Sequence, residues 1–280
     1  MTAVAGKPRF RSGSRGPLAY VADLIWPPRS LLSENLVSRP GAIEPDLWAK
    51  LTFLSKPCCQ HCGFPFETAE NEGALCGPCA AKAPVYRRAR AAVAYDDLSR
   101  ALVLEMKHGA RRDGLPVFAA WMANAAAELV ADADIIAPAP LHWTRLASRR
   151  FNQAAWLAQA LGKVTGKKVA YGVLIRVKGG KSQAGLDAAA RRRNVAGAFR
   201  VRPAARKMIE GKSILLVDDV FTTGATAEAC ARALKRGGAA ATDVVTLARV
   251  VRPSGVLICP PWTTRSQSIP GISADTRLAR

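Results

Sequence analysis

Acidic residues are scarce in this 280-residue chain, 21 Asp and Glu against 41 Lys and Arg, which leaves a formal net charge of +20. Aromatic residues are few as well, at 6%, and nowhere interleave regularly with basic ones as base-stacking single-strand binders do. No apolar run reaches the roughly 18 residues that a membrane-spanning helix needs. The best candidate, 118–129, is interrupted by Asn124 and Glu128, so membrane insertion is not expected. No glycine-rich loop ends in Gly-Lys-Ser/Thr, which excludes a Walker A site. Internal repeats are absent. The seven cysteines are odd in number and four of them fall in two close pairs. That usage fits metal ligation in a reducing compartment better than a disulfide framework, and the expected location is cytoplasmic.

What is present is enough to fold. Apolar residues make up 49% of the chain, which excludes a wholly disordered basic polymer, and the length suits one or two domains at roughly 100–200 residues each. The positive charge is concentrated: the window 145–212 holds seventeen Lys and Arg against only Asp187 and Glu210, a net of +15. A domain this lopsided attracts phosphates, nucleotides or nucleic acid, unless the charge is only a solvated surface. The first twenty residues carry Lys7, Arg9, Arg11 and Arg15 among Gly and Ser, and the apolar stretch after them is cut by Asp23 without a small-residue cleavage pattern. A flexible basic leader is expected, with an organellar transit peptide as the alternative.

Residues 1–57 read as a loosely ordered basic leader with short helices, 58–84 as a cysteine-bearing module, 85–251 as the main domain, and 252–280, rich in Pro, Ser and Thr, as a flexible tail. Within the main domain, 91–95, 135–140, 214–217 and 244–251 have the composition of buried strands, and 98–107, 114–130, 151–161 and 226–236 read as helices. Alternating β and α units predict an α/β fold in which a parallel sheet is flanked by helices.

The most informative stretch is Ile214-Leu-Leu-Val-Asp-Asp-Val-Phe-Thr-Thr-Gly-Ala-Thr226. Four apolar residues fit a central strand, so Asp218 and Asp219 emerge at its carboxyl end, where open α/β sheets form their ligand crevice. Thr222, Thr223, Gly224, Ala225 and Thr226 then supply N–H groups and hydroxyls at a helix N-terminus, where dipole and unpaired donors hold an anion. Gly224 allows close backbone approach. A bare Asp-Asp more often caps a turn; the whole string, with strand, acid pair and Thr/Gly nest in one order, is a far rarer coincidence.

This string resembles the 5-phosphoribosyl pyrophosphate (PRPP) motif of type I phosphoribosyltransferases. The resemblance implies that Asp218 and Asp219 hold the ribose hydroxyls as the catalytic pair, that residues Val220, Phe221, Thr222, Thr223, Gly224, Ala225 and Thr226 form the PRPP-binding loop around the 5′-phosphate, and that Mg²⁺ bridges ribose and pyrophosphate. Further segments, Pro138-Ala-Pro-Leu-His142, Arg145, Arg149-Arg150-Phe151-Asn152-Gln153-Ala154, Gln183-Ala-Gly-Leu186, Arg191, Asn194 and Ala198-Phe199, look like the ComF family of competence-related, phosphoribosyltransferase-like proteins. By that likeness the loop from Pro140 through Arg145 faces pyrophosphate, with Arg145, Arg149 and Arg150 as cationic partners, a strong kind of contact. Arg149-Arg150 taken alone equally fits a solvated helix start. Lys107, in Lys107-His-Gly-Ala-Arg-Arg112, reads as a second pyrophosphate-facing cation on a closing loop, or as part of a helix C-terminus capped by Gly109. His108 and His142 have no partner carboxylate at a diagnostic spacing and receive no chemistry. The implied fold is a type I phosphoribosyltransferase-like parallel sheet preceded by a small four-cysteine, zinc-ribbon-like module.

That module is legible from its own residues. Cys59-Gln-His-Cys62 and Cys76-Gly-Pro-Cys79 are two C-x2-C pairs, each able to place two thiolates on one tetrahedral metal, so Cys59, Cys62, Cys76 and Cys79 are expected to hold structural Zn²⁺. A redox pair is the alternative for either half. Cys58 reads as a bystander, while Cys230 falls in the helix after the turn and Cys259 in the tail. Against the ComF pattern, an upstream C-x2-C after Pro-Pro-Arg and a second pair before a Trp are replaced here by Pro27-Pro-Arg-Ser30-Leu-Leu-Ser33 and Pro45-Asp-Leu-Trp48. The upstream metal site is lost, and less order is expected in the first fifty or so residues. Gly180 stands where relatives tend to carry Thr.

Two functions are compatible with these residues. One is a phosphoribosyltransferase of the pentosyl class, binding PRPP or a phosphoribosyl nucleotide with Mg²⁺ in the ComF context of DNA uptake and competence. The other is a non-catalytic nucleic-acid-binding accessory factor, partnered with single-stranded DNA and the uptake machinery.

Overall fold

The computed structural model describes residues 27–68, 73–108, 112–141, 151–177, 193 and 195–251. In chain order these form helices α1 (Pro45–Trp48) and α2 (Gly77–Ala81), strand β1 (Ala89–Ala94), helices α3 (Asp97–His108), α4 (Leu115–Ala125) and α5 (Ala127–Asp132), strand β2 (Ile135–Pro138) and helix α6 (Gln153–Thr165). Strands β3 (Lys168–Val169), β4 (Leu174–Arg176) and β5 (Phe199–Val201) follow, then a 3-10 turn (Pro203–Ala205), α7 (Arg206–Ile209), β6 (Ser213–Phe221), α8 (Ala225–Arg236) and β7 (Ala241–Arg249).

The main sheet has the order β1-β7-β6-β2-β3, with every neighbouring pair parallel. Its centre is β6, whose run Ile214-Leu-Leu-Val217 is buried on both faces. Side chains alternate across the pleat. Ile214 and Leu216 join one apolar layer with Phe199, Phe221, Cys230, Leu234, Tyr86 and the cysteines of the N-terminal module. Leu215 and Val217 join the opposite layer with Leu102, Phe118, Met122, Leu157 and Leu161 from α3, α4 and α6. The cysteine module therefore shares a core with α8, the helix that follows the acidic strand end.

Several elements depart from the sequence reading. Strand β6 does not stop at Val217 but runs through the acid pair to Phe221, because β7 continues alongside it and pairs Asp218 with Thr246, Val220 with Ala248 and Phe221 with Arg249. The helix expected over 114–130 is two, parted at Ala126 (φ −120°, ψ 31°), where an alanine-rich sequence carries no breaking signal. Helix α6 starts at Gln153, two residues later than expected, with the Asn152 side chain accepting from the Ala154 amide, and stops at Gly166 in the left-handed region (φ 71°). The β4–β5 hairpin was not anticipated; its strands are only three residues each.

Where a loose leader is expected up to residue 57, residues 27–57 are tied down. Arg29 and Leu36 form an antiparallel bridge and Phe53 bridges to Val93, the Leu54 amide donates to Ala92 and the Ala94 amide to Thr52, and Leu31 and Leu51 are buried in the layer beneath α4. The physical reason is a hydrogen-bonded knot in place of metal. The hydroxyls of Ser30 and Ser33 both donate to the Glu44 carboxylate, which also accepts from the Asn35 side chain at 3.1 Å. Residues 1–26 and the tail beyond 251 lie outside the described residues.

Candidate functional site

The acidic end of β6 opens into a tight turn and then α8. Each carboxylate is engaged locally: Asp218 Oδ1 accepts from the Asp219 amide at 2.9 Å and Asp219 Oδ1 from the Val220 amide at 2.7 Å. Neither caps the helix. The residue at that position is Gly224, with φ 73° and ψ 3°, and it offers no side-chain hydrogen bond to the first turn. The cap position thus takes up none of the opening amides of α8 through a side chain, and a helix start of this kind, with the positive end of the helix dipole, is the arrangement that binds an anion. Thr223 Oγ1 is buried without a hydrogen-bond partner among the described residues, which is costly unless a ligand atom completes it.

Gly224 has a steric reason as well as a conformational one. A Cβ there would sit 2.8 Å from Cζ of Phe221 and 3.5 Å from the Tyr86 hydroxyl. Phe221 and Tyr86 pack edge-to-face, 6.1 Å between centroids at 88°, and form the floor under the turn.

Of the other site residues expected from sequence, Lys107 lies in the last turn of α3 with its side chain outside the described residues, as are Arg145, Arg149 and Arg150 entirely. Their flanks meet. Phe151 stacks on Trp156 at 4.1 Å and 14°, and the Arg112 guanidinium lies 4.3 Å over Trp156, so the ends of both expected pyrophosphate-facing segments join in one stack. Beside it, Gln153 is buried and its Nε2 has no partner among the described residues, while Asn152 Nδ2 donates to Ala139 at the end of β2.

The second constellation is the cysteine centre. The sulfurs of Cys59, Cys62, Cys76 and Cys79 all lie within 4.8 Å of one another, with Cys62 and Cys76 3.5 Å apart. Four thiolates at a Zn–S distance of about 2.3 Å stand about 3.8 Å apart in a tetrahedron, so the donor set fits zinc. Turns hold it open: the Gly63 amide donates to Cys59, and the Cys79 and Ala80 amides donate to Cys76. Gly63 (φ 69°) lets the knuckle touch β1, since a Cβ would meet the Ala89 carbonyl at 2.3 Å. His61 makes a hydrogen bond to the Arg87 carbonyl through Nδ1 rather than joining the metal cluster. Cys230 is a fully buried thiol whose ionisation is pushed well up by burial, consistent with an inert core residue.

Two buried participants were not read from the sequence. Arg249, at the end of β7, donates to the Cys62 carbonyl and reaches its sulfur at 3.5 Å. Asp243 accepts from both Arg87 (2.6 Å) and Arg88 (2.8 Å). Each pairs residues more than 150 positions apart, so no local pattern announces them.

Comparison with known proteins finds two matching domain families. The double zinc ribbon domain family matches residues 21–80 and the phosphoribosyl transferase domain family matches 153–257. The match to a double ribbon spans the Ser30–Ser33–Glu44 knot, so one of the two ribbons here carries hydroxyls and a carboxylate where a metal site is expected. The DNA utilization protein YhgH of Salmonella typhimurium is 32% identical over 203 residues, covering 69% of this chain and 84% of that protein. Competence protein F of Haemophilus influenzae is 34% identical over 116 residues, 41% of this chain and 50% of that protein. Among solved structures, orotate phosphoribosyltransferase from Aeropyrum pernix aligns with a TM-score of 0.31 at 15% identity, over 57% of this chain and 68% of that one. With a zinc ribbon and a phosphoribosyltransferase domain in one chain, and relatives at this identity and coverage, the protein belongs to the ComF family, that of competence protein F and the DNA utilization protein YhgH.

Proposed function

We propose that the turn 222–226 at the N-terminus of α8 binds the 5′-phosphate of PRPP or of a phosphoribosyl nucleotide, with Asp218 and Asp219 on the ribose hydroxyls. The observation that carries this is the buried Thr223 hydroxyl, without a partner among the described residues, beside the left-handed Gly224 that gives α8 no side-chain cap. Arg145, Arg149, Arg150 and Lys107 supply the cations for pyrophosphate. Mg²⁺, a hard ion that keeps water and prefers substrate phosphates to a protein cage, would be held largely by the ligand's own oxygens beside Asp218 and Asp219 and would supply charge to offset the leaving phosphates. The reaction is transfer of the ribosyl phosphate to a nitrogenous acceptor. Pyrophosphate leaves C1′ through an oxocarbenium-like state, so stabilising the leaving charge is the chain's main task. Isothermal titration with PRPP and Mg²⁺ tests it: heat with the native chain that disappears in Asp218→Ala plus Asp219→Ala is expected. No heat, or equal heat in the variant, overturns the reading.

A second reading, an accessory factor that handles single-stranded DNA alongside the uptake machinery in the cytoplasm, is favoured by a different observation. A cleft of about 510 Å³ with Phe199, Val201 and Ala233 in its wall is bordered by Arg200, Arg206 and Arg236. These arginines make no side-chain hydrogen bond or ion pair among the described residues. The relatives' names, a DNA utilization protein and a competence protein, point the same way. Backbone binding of this kind weakens steeply with salt.

A further inference from the structure

We propose that Arg249 is a positioning residue that couples the cysteine centre to the turn 222–226, so that this turn keeps its anion-binding shape only while the metal is in place. The inference rests on the reading of that turn as the ligand loop. Arg249 is 6% exposed. One arm of its guanidinium donates to the Cys62 carbonyl and the other approaches the Cys62 sulfur at 3.5 Å. The same group lies 4.7 Å over the ring of Phe221 and 5.5 Å from that of Phe64 in the knuckle. Phe221 is the residue paired with Arg249 across β6 and β7, its carbonyl accepts from the Val250 amide, and its ring is the surface against which Gly224 turns. A second strap runs in parallel: the Val85 amide, just past the module, donates at 2.9 Å to Glu228 in the first turn of α8.

The physics follows from charge and from cross-linking. Zinc held by four thiolates leaves a net charge of about −2, and a buried guanidinium beside one thiolate offsets part of it. Arg249 itself is held in the core by that carbonyl, that sulfur and two aromatic faces, while its Nε is buried without a partner among the described residues, so little is in reserve if Cys62 moves. Removing the metal unties the knuckle. Cys62 then shifts, the buried cation loses its carbonyl, and Phe221 loses the cover that fixes its ring under Gly224. A signal of loop disorder is therefore built into the loss of zinc, carried from Cys62 through Arg249 to Phe221, with the Val85–Glu228 strap beside it.

Hydrogen–deuterium exchange of the full chain tests this without any ligand. Stripping zinc with EDTA is expected to speed exchange at 58–82 and, about tenfold or more, at 220–226, while α4 in the opposite layer keeps its protection. In Arg249→Gln the metal is expected to be held about 10–100-fold more weakly, and the loop to exchange fast even with zinc bound; Arg249→Lys restores part of both. Unchanged protection at 220–226 after chelation, or loss that spreads equally to α4, overturns the coupling. The chelation arm uses the native chain, so a variant that fails to fold does not blunt it. PRPP titration of the same samples separates the two ideas: no binding by the zinc-loaded native chain sinks the ligand reading, whereas the exchange result alone decides the coupling.

Discussion

Ser30 donates its hydroxyl hydrogen bond to the carboxylate of Glu44, fourteen positions along the chain. With Ser33 and Asn35 converging on the same carboxylate, the first half of a double-ribbon segment is closed by neutral donors around one anion. Serine hydroxyls are poor zinc ligands and here point their protons inward, so this half has no use for a metal. Metal analysis of the purified chain is expected to return one zinc per chain, released on titrating Cys59, Cys62, Cys76 and Cys79. Two zincs per chain would mean that the knot is a metal site after all.

The knot also fixes a titration. Hydrogen bonds from Ser30 first, and then Ser33, hold the Glu44 carboxyl down at about 2, well below its ordinary value. A depressed folded value contributes stability that is complete above the unfolded value of about 4.3 and is lost as the pH falls towards the folded one. Carboxyl-carbon NMR is expected to show Glu44 titrating near pH 2. In Ser30→Ala plus Ser33→Ala it moves back towards the ordinary glutamate range, and 27–44 loses exchange protection.

Gly224→Ala separates the two demands on the turn. A left-handed φ costs alanine about 1–2 kcal/mol, and the overlap with Phe221 adds about 1–2 more. Denaturant unfolding is expected to show a loss of about 2–4 kcal/mol together with lost PRPP heat. Gly73 provides the control, since it shares a positive φ of 87° but has nothing within 4 Å. Gly73→Ala should cost the backbone term alone and leave the ligand bound.

Asp243 is 4% exposed at its side chain and bonded to Arg88, 16% exposed, and Arg87, 43% exposed. Burial pushes its pKa up, but the hydrogen bonds and charges of Arg87 and Arg88 outweigh it and hold the carboxyl below its ordinary value. Asp243→Asn removes the buried anion and leaves Arg87 and Arg88, among the described residues, only the half-exposed Asp132, at 3.4 and 2.6 Å. Removing one partner of a buried pair costs about 3–5 kcal/mol, and the exposure of Arg87 sets this one nearer about 2–3 after screening. The native chain should lose this stability on acidification only below about pH 4, where the unfolded Asp begins to bind protons; the variant should show a flatter acid limb.

The sequence disclosed what is written in contiguous residues. Ile214 to Thr226 names a strand, an acid pair and an anion-binding turn because each depends on neighbours in the chain, and the two C-x2-C pairs do the same for the metal. What stayed hidden depends on partners far away. The ladder with β7 decides that β6 continues to Phe221, and no property of Asp218 or Val220 alone reports it. The Ser30–Glu44 knot shows in the sequence only as missing cysteines, since Ser and Glu at these spacings have no ligand signature. Arg249 and Cys62, 187 residues apart, carry no covariation or motif within a single chain. Burial of an arginine becomes visible only once the fold has brought that thiolate to it.

The arginine-bordered cleft makes the last prediction, and salt is its measure. Arg200, Arg206 and Arg236 lie on β5, α7 and the last turn of α8, whereas Gly224 precedes the first turn of α8. A twelve-residue helix at 1.5 Å per residue puts about 18 Å between those ends, so one small ligand does not span both. If the cleft tracks a DNA backbone, replacing all three arginines by glutamine removes up to three phosphate contacts. The logarithmic salt slope for single-stranded DNA then becomes shallower by about 2, at about 0.7 per contact. PRPP heat, set at the other end of α8, should be unchanged in the same variant. An unaltered slope moves any DNA contact off this cleft, and a loss of PRPP binding would mean that the two ends of α8 serve one ligand.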